Sequence, residues 1–138
     1  ADKIGLFPVH LRRLEDWDWL INYCYSYPLG IVEEPLADIR VTGYPLYEKI
    51  LPACDDLLAL HRDKIHQARG GYMVRYFKAT LEQEKAATAY RNKNYRAAAE
   101  HFVKILLISP ERFIRFLLRI FEKIKTRDYR MSDFDRFK

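Results

Sequence analysis

The sequence predicts a mainly α-helical protein, in which a loop-and-helix segment with short strands precedes an antiparallel bundle or hairpin of helices. Three observations support this fold class. Apolar residues beyond Pro45 recur every three to four positions, as on one face of a helix. Gly70-Gly71 and Ser109-Pro110 divide these stretches into helix-sized pieces. The chain has 138 residues, of which 49% are hydrophobic, so one domain with a substantial core is expected.

The first predicted helix runs from Asp16 to about Tyr27. Its apolar residues recur at i, i+3, i+4 and i+7, and acidic residues crowd its first turn. The sequence Pro28 to Gly30 ends it. Residues 31–32 and 39–41 are short and β-branched, so we expect two brief strands around a turn.

Four further helices are predicted after Pro45. They cover residues 46–69 or 52–69, 72–91, 95–108 and 110–126. Gly70-Gly71 provides a left-handed stop, and residues 92–94 provide a tight turn. Ser109-Pro110-Glu111 combines an N-cap residue, a first-turn proline and a favourable acid, which predicts the start of the last helix.

Charge is distributed unevenly along the chain. Residues 1–69 hold 8 Lys/Arg and 11 Asp/Glu, whereas residues 70–138 hold 16 and 8, so the net charges are −3 and +8. The basic half favours an anionic neighbour, and a membrane face, a nucleic acid or an acidic protein would each satisfy it.

Cysteine and histidine positions predict neither a disulfide framework nor a metal site. Cys24 and Cys54 lie far apart and form no Cys-x-x-Cys pair. His61 and His66 are five residues apart, which does not match the i, i+4 spacing of a helical metal pair. This chain is therefore expected to hold no cofactor of its own.

An acidic and aromatic run is the most specific motif in the sequence. It reads Glu15-Asp16-Trp17-Asp18-Trp19, with Phe7 and Leu11 before it and Pro35, Leu36 and Arg40 after it. This pattern resembles the acceptor-side segment of family 2 glycosyltransferases, which runs Phe-x-x-x-Leu, Glu-Asp-x-Asp and then Pro-Leu-x-x-x-Arg. The resemblance covers roughly the first 45 residues.

The resemblance implies transfer of a sugar from a nucleotide-sugar donor to a glycan or a lipid-linked acceptor. It assigns Asp16 the role of general base, which takes the proton from the acceptor hydroxyl. A carboxylate at a helix N-terminus is stabilised in its charged form, which suits that role. Acceptor binding is expected of four neighbours: Glu15, Trp17, Asp18 and Trp19. Glu15 and Asp18 would orient either the acceptor or Asp16 itself.

Arg40 is expected to contact the donor diphosphate, or else to pair with Asp38 or Glu34. The family often places a histidine after this arginine, whereas Val41-Thr42 stand here. That departure leaves a metal or phosphate contact at this place unsupported.

The donor-binding half of such an enzyme, with its Asp-x-Asp motif and divalent metal, is expected upstream of this chain. We therefore expect residues 1–45 to be an acceptor-side segment, residues 46–126 a helical extension and residues 127–138 a charged, flexible tail. The fragment alone should not transfer sugar. A cytoplasmic location is expected, either free or peripheral at the inner face of the membrane.

Two alternatives stay open for the same residues. Acids in a first turn are also good helix-capping chemistry, and a tryptophan followed by an apolar residue at i+3 normally packs in a core. Residues 86–110 also resemble one tetratricopeptide-like hairpin, on the basis of Ala86, Ala98, Phe102 and Pro110. A non-enzymatic helical interaction module is therefore the alternative function.

The last predicted helix carries cations along one side and apolar residues over much of the remainder. The cations are Arg112, Arg115, Arg119 and Lys123. Such a helix docks on an anionic membrane surface or on a partner, or else packs its apolar face on the preceding hairpin. It is too interrupted by charge to span a bilayer. Aromatic residues and cations also interleave at 72–78 and 90–96, but no nucleic-acid-binding motif accompanies them.

Overall fold

A computed structural model describes Leu11 and residues 13–30, 45–118 and 121–122. These residues are overwhelmingly α-helical and contain no strand, which confirms the mainly α fold class. The two predicted strands, at 31–32 and 39–41, lie outside the described residues, as does the predicted tail at 127–138.

Helix α1 spans Glu15–Ser26, within one residue of the prediction at each end. Its first turn holds Glu15, Asp16 and Asp18, which interact favourably with the helix dipole. Leu14 precedes it in a left-handed conformation, with φ of 62°, and provides no side-chain cap. The acids of this turn therefore belong to a helix whose N-terminus is not capped by a neighbouring side chain.

Helix α2 spans Tyr47–Arg91 and is interrupted at Gly70, whose φ and ψ are 77° and 177°. We call residues 47–69 its first arm and residues 71–91 its second arm. The first arm continues through Pro52 without a break, so the helix starts before this proline. The predicted left-handed stop at the glycine pair is confirmed at Gly70.

The two arms of α2 run antiparallel. The Asn92 amide donates to the Pro45 carbonyl at 3.0 Å, and the Cys54 thiol lies 3.9 Å from the Leu81 carbonyl. These pairs are placed nearly symmetrically about Gly70, so the chain reverses there and its arms pack side by side.

Helices α3 and α4 complete the described fold. Helix α3 spans Tyr95–Ile108 and packs on α2. The predicted turn at 92–94 is confirmed, with Lys93 left-handed at φ 62° and Asn94 accepting the Ala97 N–H at 3.2 Å. Helix α4 covers residues 110–118, and its first N–H bonds, from Arg112 and Phe113, go to the Ser109 carbonyl at 3.1 Å.

Two buried clusters form the core. The first contains Leu11, Ile50, Cys54, Leu57 and Leu81, so residues on both sides of the expected boundary at position 45 share it. The second lies between the second arm of α2 and helix α3 and consists of Ala79, Ala86 and Ile105, against which Phe102, Ile108 and Phe113 pack. Small alanines allow these two helices to approach closely.

No helix within the described ranges is long and apolar enough to cross a membrane.

Candidate active site at the start of helix α1

Glu15 and Asp16 are exposed in the first turn of α1. Among the described residues, the Asp16 carboxylate has no side-chain hydrogen bond and no ion pair. Asp16 therefore presents an unpaired carboxylate to the surroundings of the protein, as a general base requires.

Asp18 lies in the same turn but is buried, with 8% of its surface exposed. His61 Nε2, on the first arm of α2, lies 2.7 Å from Asp18 Oδ1. The Asn22 amide donates to Asp18 Oδ2 at 3.2 Å, and Lys64 Nζ donates to Asn22 Oδ1 at 3.1 Å. Asp18 is thus enclosed by protein partners, and its expected part in orienting the acceptor or Asp16 stays a prediction.

The geometry indicates the tautomer of His61. The residue is 1% exposed, and its Nδ1 has no hydrogen-bond partner among the described residues. Because a carboxylate accepts at Nε2, the proton belongs on Nε2.

The two tryptophans have different neighbours. Trp17 is half-buried and packs against the first core cluster. Trp19 is half-buried and stacks on Tyr23, with ring centroids 5.3 Å apart and planes inclined by 25°. Both rings therefore make contacts within the protein, so a sugar ring could meet only the parts of their surfaces that these contacts leave open.

Two cavities flank the acidic turn and share Arg13 and Glu15. One, of about 390 Å³, is also lined by Asp16 and Trp17 from the α1 side and by Glu84 from the second arm of α2. The other, of about 700 Å³, continues along the first arm, where its remaining lining residues are Glu48, Lys49, Pro52, Ala53 and Asp56. Asp16 thus borders the smaller cavity, whose described lining includes the Glu15 and Glu84 carboxylates and the Arg13 guanidinium.

An apolar groove of about 500 Å³ lies further along α1, between Leu20, Ile21 and Tyr25 on one side and residues of α2 around its kink on the other. Arg69 is the only charged residue among those that line it. Among the residues that the structure describes, no carboxylate lines this groove.

A second polar network, largely buried apart from the exposed Asp55, connects both arms of α2 with α3. His101 Nδ1 lies 2.7 Å from Glu82 Oε2, and its Nε2 lies 2.6 Å from the Tyr47 hydroxyl. Lys85 Nζ donates to Glu82 Oε1 at 3.1 Å and to Asp55 Oδ1 at 2.7 Å. The five side chains form one continuous chain of hydrogen bonds.

Burial and partners act in opposite directions on the two charges in this network. Burial alone would raise the pKa of Glu82, but hydrogen bonds from His101 and Lys85 outweigh it and lower the pKa. Burial would likewise lower the pKa of Lys85, but hydrogen bonds to Asp55 and Glu82 raise it. Both groups are therefore held in their charged forms at neutral pH, as a buried ion pair.

The remaining predicted site residues lie at the other end of the chain or outside the described part. Arg40, Arg119 and Lys123 are outside the described residues. Arg112 donates to Gln83 Oε1 at 3.1 Å, and its guanidinium lies 4.4 Å from the centre of the Tyr76 ring. Arg112 is thus bound within the protein, whereas Arg115 is exposed.

Sequence reasoning missed His61, Glu82, Lys85 and His101 as members of buried networks. A signal was present, because each of them falls within an apolar helical stripe: His61 lies between Leu57 and Ile65, and Glu82 between Ala79 and Ala86. Charged residues at such positions are seldom buried without a partner. Within the described ranges, no three His, Cys, Asp or Glu residues are placed to hold a metal ion.

No family model, curated protein or solved structure matches this chain. The interpretation of the acidic turn therefore depends on its own motif and on the geometry around it.

Proposed function

We propose that this chain is the C-terminal portion of a family 2-like glycosyltransferase, in which Asp16 is the general base for sugar transfer to a glycan or lipid-linked acceptor. The observation that carries this proposal is the contrast between Asp16 and Asp18. Although they share one helical turn, Asp18 is buried with two partners, while Asp16 is exposed and has no described partner. Packing thus accounts for Asp18 and leaves Asp16 free for chemistry.

The proposed reaction is a direct displacement. The acceptor hydroxyl gives its proton to the Asp16 carboxylate as its oxygen attacks the anomeric carbon of the donor sugar. The bond between that carbon and the donor phosphate breaks, and a nucleoside diphosphate leaves with the electron pair. General-base catalysis of this kind typically contributes about 10²–10⁴-fold to the rate.

The cavities beside Asp16 are suited to a polar acceptor. In the cavity that Asp16 lines, Arg13 supplies hydrogen-bond donors, and Glu15 and Glu84 supply hydrogen-bond acceptors. The adjoining cavity shares Arg13 and Glu15 with it and adds Lys49, Glu48 and Asp56. A few polar groups of this kind orient a hydroxyl-bearing ligand. The donor and its divalent metal belong, in this proposal, to an upstream half of the enzyme. When bound there, the metal would neutralise charge on the leaving diphosphate.

The substitution Asp16→Asn, made in the full-length native protein and assayed for turnover, tests the proposal. We expect the release of nucleoside diphosphate in the presence of acceptor to fall by at least about 10²-fold, because the amide cannot take the proton. Asp63→Asn is the matched control, since Asp63 is an exposed acid on the first arm of α2, and it should keep full activity. Unchanged turnover in folded Asp16→Asn would exclude Asp16 as the base.

One observation favours the alternative of a helical interaction module. Several large apolar side chains of α3 and of the residues that follow it are exposed, with Leu107 77%, Phe121 65% and Val103 56% accessible. Exposed apolar surface near cations such as Arg115 is typical of proteins that dock on a partner or an anionic membrane surface. Co-sedimentation of the protein with anionic vesicles at low salt would support docking on a membrane. If the same fraction of protein sedimented with neutral vesicles, charge would have no role in that docking.

A further inference from the structure

We infer that His61 is a positioning residue for the proposed general base and that it acts through Asp18. The inference rests on the proposed function and adds to it a residue 43 positions beyond the acidic turn in sequence. In this arrangement, His61 does not touch the substrate. It holds the first turn of α1 against α2, and the turn in turn determines where the Asp16 carboxylate lies.

The first turn of α1 lacks the local features that usually fix a helix start. No side chain caps it, and Leu14 enters it in a left-handed conformation with φ of 62°, which is uncommon for a residue with a bulky side chain. The helix has only 12 residues, and isolated helices of this length are marginal in water. Its N-terminal turn therefore depends on contacts with the rest of the fold.

The Asp18–His61 hydrogen bond is the polar contact that meets this need. It joins α1 to α2 at 2.7 Å between two buried side chains. Lys64, one turn beyond His61, donates to Asn22, one turn beyond Asp18. Two successive turns of α1 are thus attached to two successive turns of α2, which fixes both the position of α1 and its rotation about its own axis.

This rotation places Asp16 on the opposite side of the helix. With 3.6 residues per turn, a residue two positions away lies about 200° around the axis. When Asp18 faces His61, Asp16 therefore lies on another side of α1, where it borders the cavity of about 390 Å³ that Ile50 and Glu84 also line. The observed burial agrees with this geometry, because Asp18 is buried and Asp16 is exposed.

Loss of the hydrogen bond should therefore displace Asp16 without removing it. A displacement of about 1 Å at a reacting group typically costs about 10²-fold in rate. The unpaired Asp18 carboxylate would also move towards solvent and shift the first turn of α1, because burying an ion without a partner is unfavourable. Both effects act on the rate of the chemical step rather than on binding of the nucleotide-sugar donor.

The test measures kcat and the donor KM of the native protein by release of nucleoside diphosphate, normalised to the folded fraction from circular dichroism. Three variants of His61 are compared. His61→Leu removes the hydrogen-bond donor to Asp18. His61→Gln has an amide that reaches about as far as Nε2, and His61→Asn has an amide that is one methylene shorter. His66→Leu is the control, because His66 is an exposed histidine on the same arm.

We expect His61→Leu to lower kcat by about 10–100-fold with little change in the donor KM. His61→Gln should restore part of kcat, His61→Asn should restore less, and His66→Leu should resemble the native protein. If His61→Leu does not fold, the order of the Gln and Asn variants decides the question. Equal kcat per folded molecule in these variants and the native protein would overturn the inference, as would a Gln variant no better than Asn.

The Asp16→Asn variant separates the two proposals. Loss of turnover in Asp16→Asn together with unchanged kcat in the His61 variants would contradict the positioning role alone. Full turnover in Asp16→Asn would contradict the proposed function on which that role rests.

Discussion

The Tyr47 hydroxyl lies 2.6 Å from His101 Nε2, although the two residues are 54 positions apart in the chain. The opposite nitrogen of the same ring contacts Glu82. His101 is therefore bonded at both nitrogens, unlike His61. This contact attaches the first turn of α2 to the middle of α3, so it joins two helices at positions distant in sequence.

Removing the Tyr47 hydroxyl should weaken this closure. Burial and the nearby Glu100 carboxylate raise the pKa of Tyr47, so its hydroxyl keeps its proton at neutral pH and shares a hydrogen bond with His101 Nε2. We expect Tyr47→Phe to lower the free energy of unfolding by about 1–3 kcal/mol, because it leaves the buried His101 Nε2 without its hydrogen-bond partner. Urea unfolding measures this loss. Tyr90→Phe is the control, since Tyr90 is 62% exposed, and an equal loss in both variants would contradict the prediction.

Glu82 should make the fold sensitive to acid. Because its folded pKa is lowered from the ordinary value of 4.5, it contributes stability above that value, and this contribution is lost as the pH falls through the folded pKa. We expect Glu82→Gln to be less stable at neutral pH and to show a weaker fall in unfolding free energy between neutral and strongly acidic pH.

Glu100→Gln is the control for this measurement. Glu100 pairs with Arg96 on the surface, and exposed pairs at this spacing contribute only about 0.3–0.5 kcal/mol. The same acid sensitivity in Glu82→Gln and in the native chain would show that other carboxylates cause it.

Two neighbouring glycines should respond in opposite directions to the same substitution. Gly70 has φ 77° and ψ 177°, a conformation nearly restricted to glycine, so Gly70→Ala should destabilise the fold by about 1–3 kcal/mol. An added Cβ there meets no atom within 4 Å, so the cost is one of backbone strain. Gly71 continues the helix, and its Cβ would meet only His66 at 3.9 Å.

Gly71 is the first residue of the second arm, and Gly71→Ala should stabilise the chain by about 0.4–1 kcal/mol, mainly because alanine leaves the unfolded chain less conformational freedom. Thermal unfolding of both variants provides the comparison. A stabilising Gly70→Ala would mean that the reversal between the arms does not depend on this residue.

The two cysteines should differ sharply in reactivity. Cys24 is exposed and Cys54 is buried, and burial raises the pKa of the Cys54 thiol to about 12. Because the thiolate is the reactive form, a thiol reagent at neutral pH should modify Cys24 in the native chain and Cys54 only after unfolding. Intact mass after labelling, with and without denaturant, counts the modified sites. Rapid native labelling of Cys54 would contradict its place in the core.

Local signals made much of the fold predictable from sequence. The acidic first turn of α1, the glycine pair at 70–71 and the Asn-rich turn at 92–94 each specify backbone conformation through nearby residues. Helix boundaries at these places agree with the structure within a residue or two. The reversal at Gly70 could be located, but the antiparallel pairing of its arms depends on contacts between distant residues such as Cys54 and Leu81.

The candidate site was predictable in part. Asp16 could be selected from its motif, but the burial of Asp18 could not, because its partner His61 lies 43 residues away. The network of hydrogen bonds that links Tyr47 with Asp55 could not be predicted for a similar reason, because its members are distant in sequence. Charged residues inside apolar stripes showed that buried pairs were needed, while only the packing of the helices determined which residues pair.

The single-residue reversal at Gly70 also has a consequence for the order of folding. Contacts between the arms close short loops, of 27 residues for Cys54 and Leu81, and helical structures with such local contacts form quickly. The acidic turn is synthesised before these arms, since chains grow from the N-terminus. It therefore reaches its final position only after the residues that hold it have emerged and begun to fold.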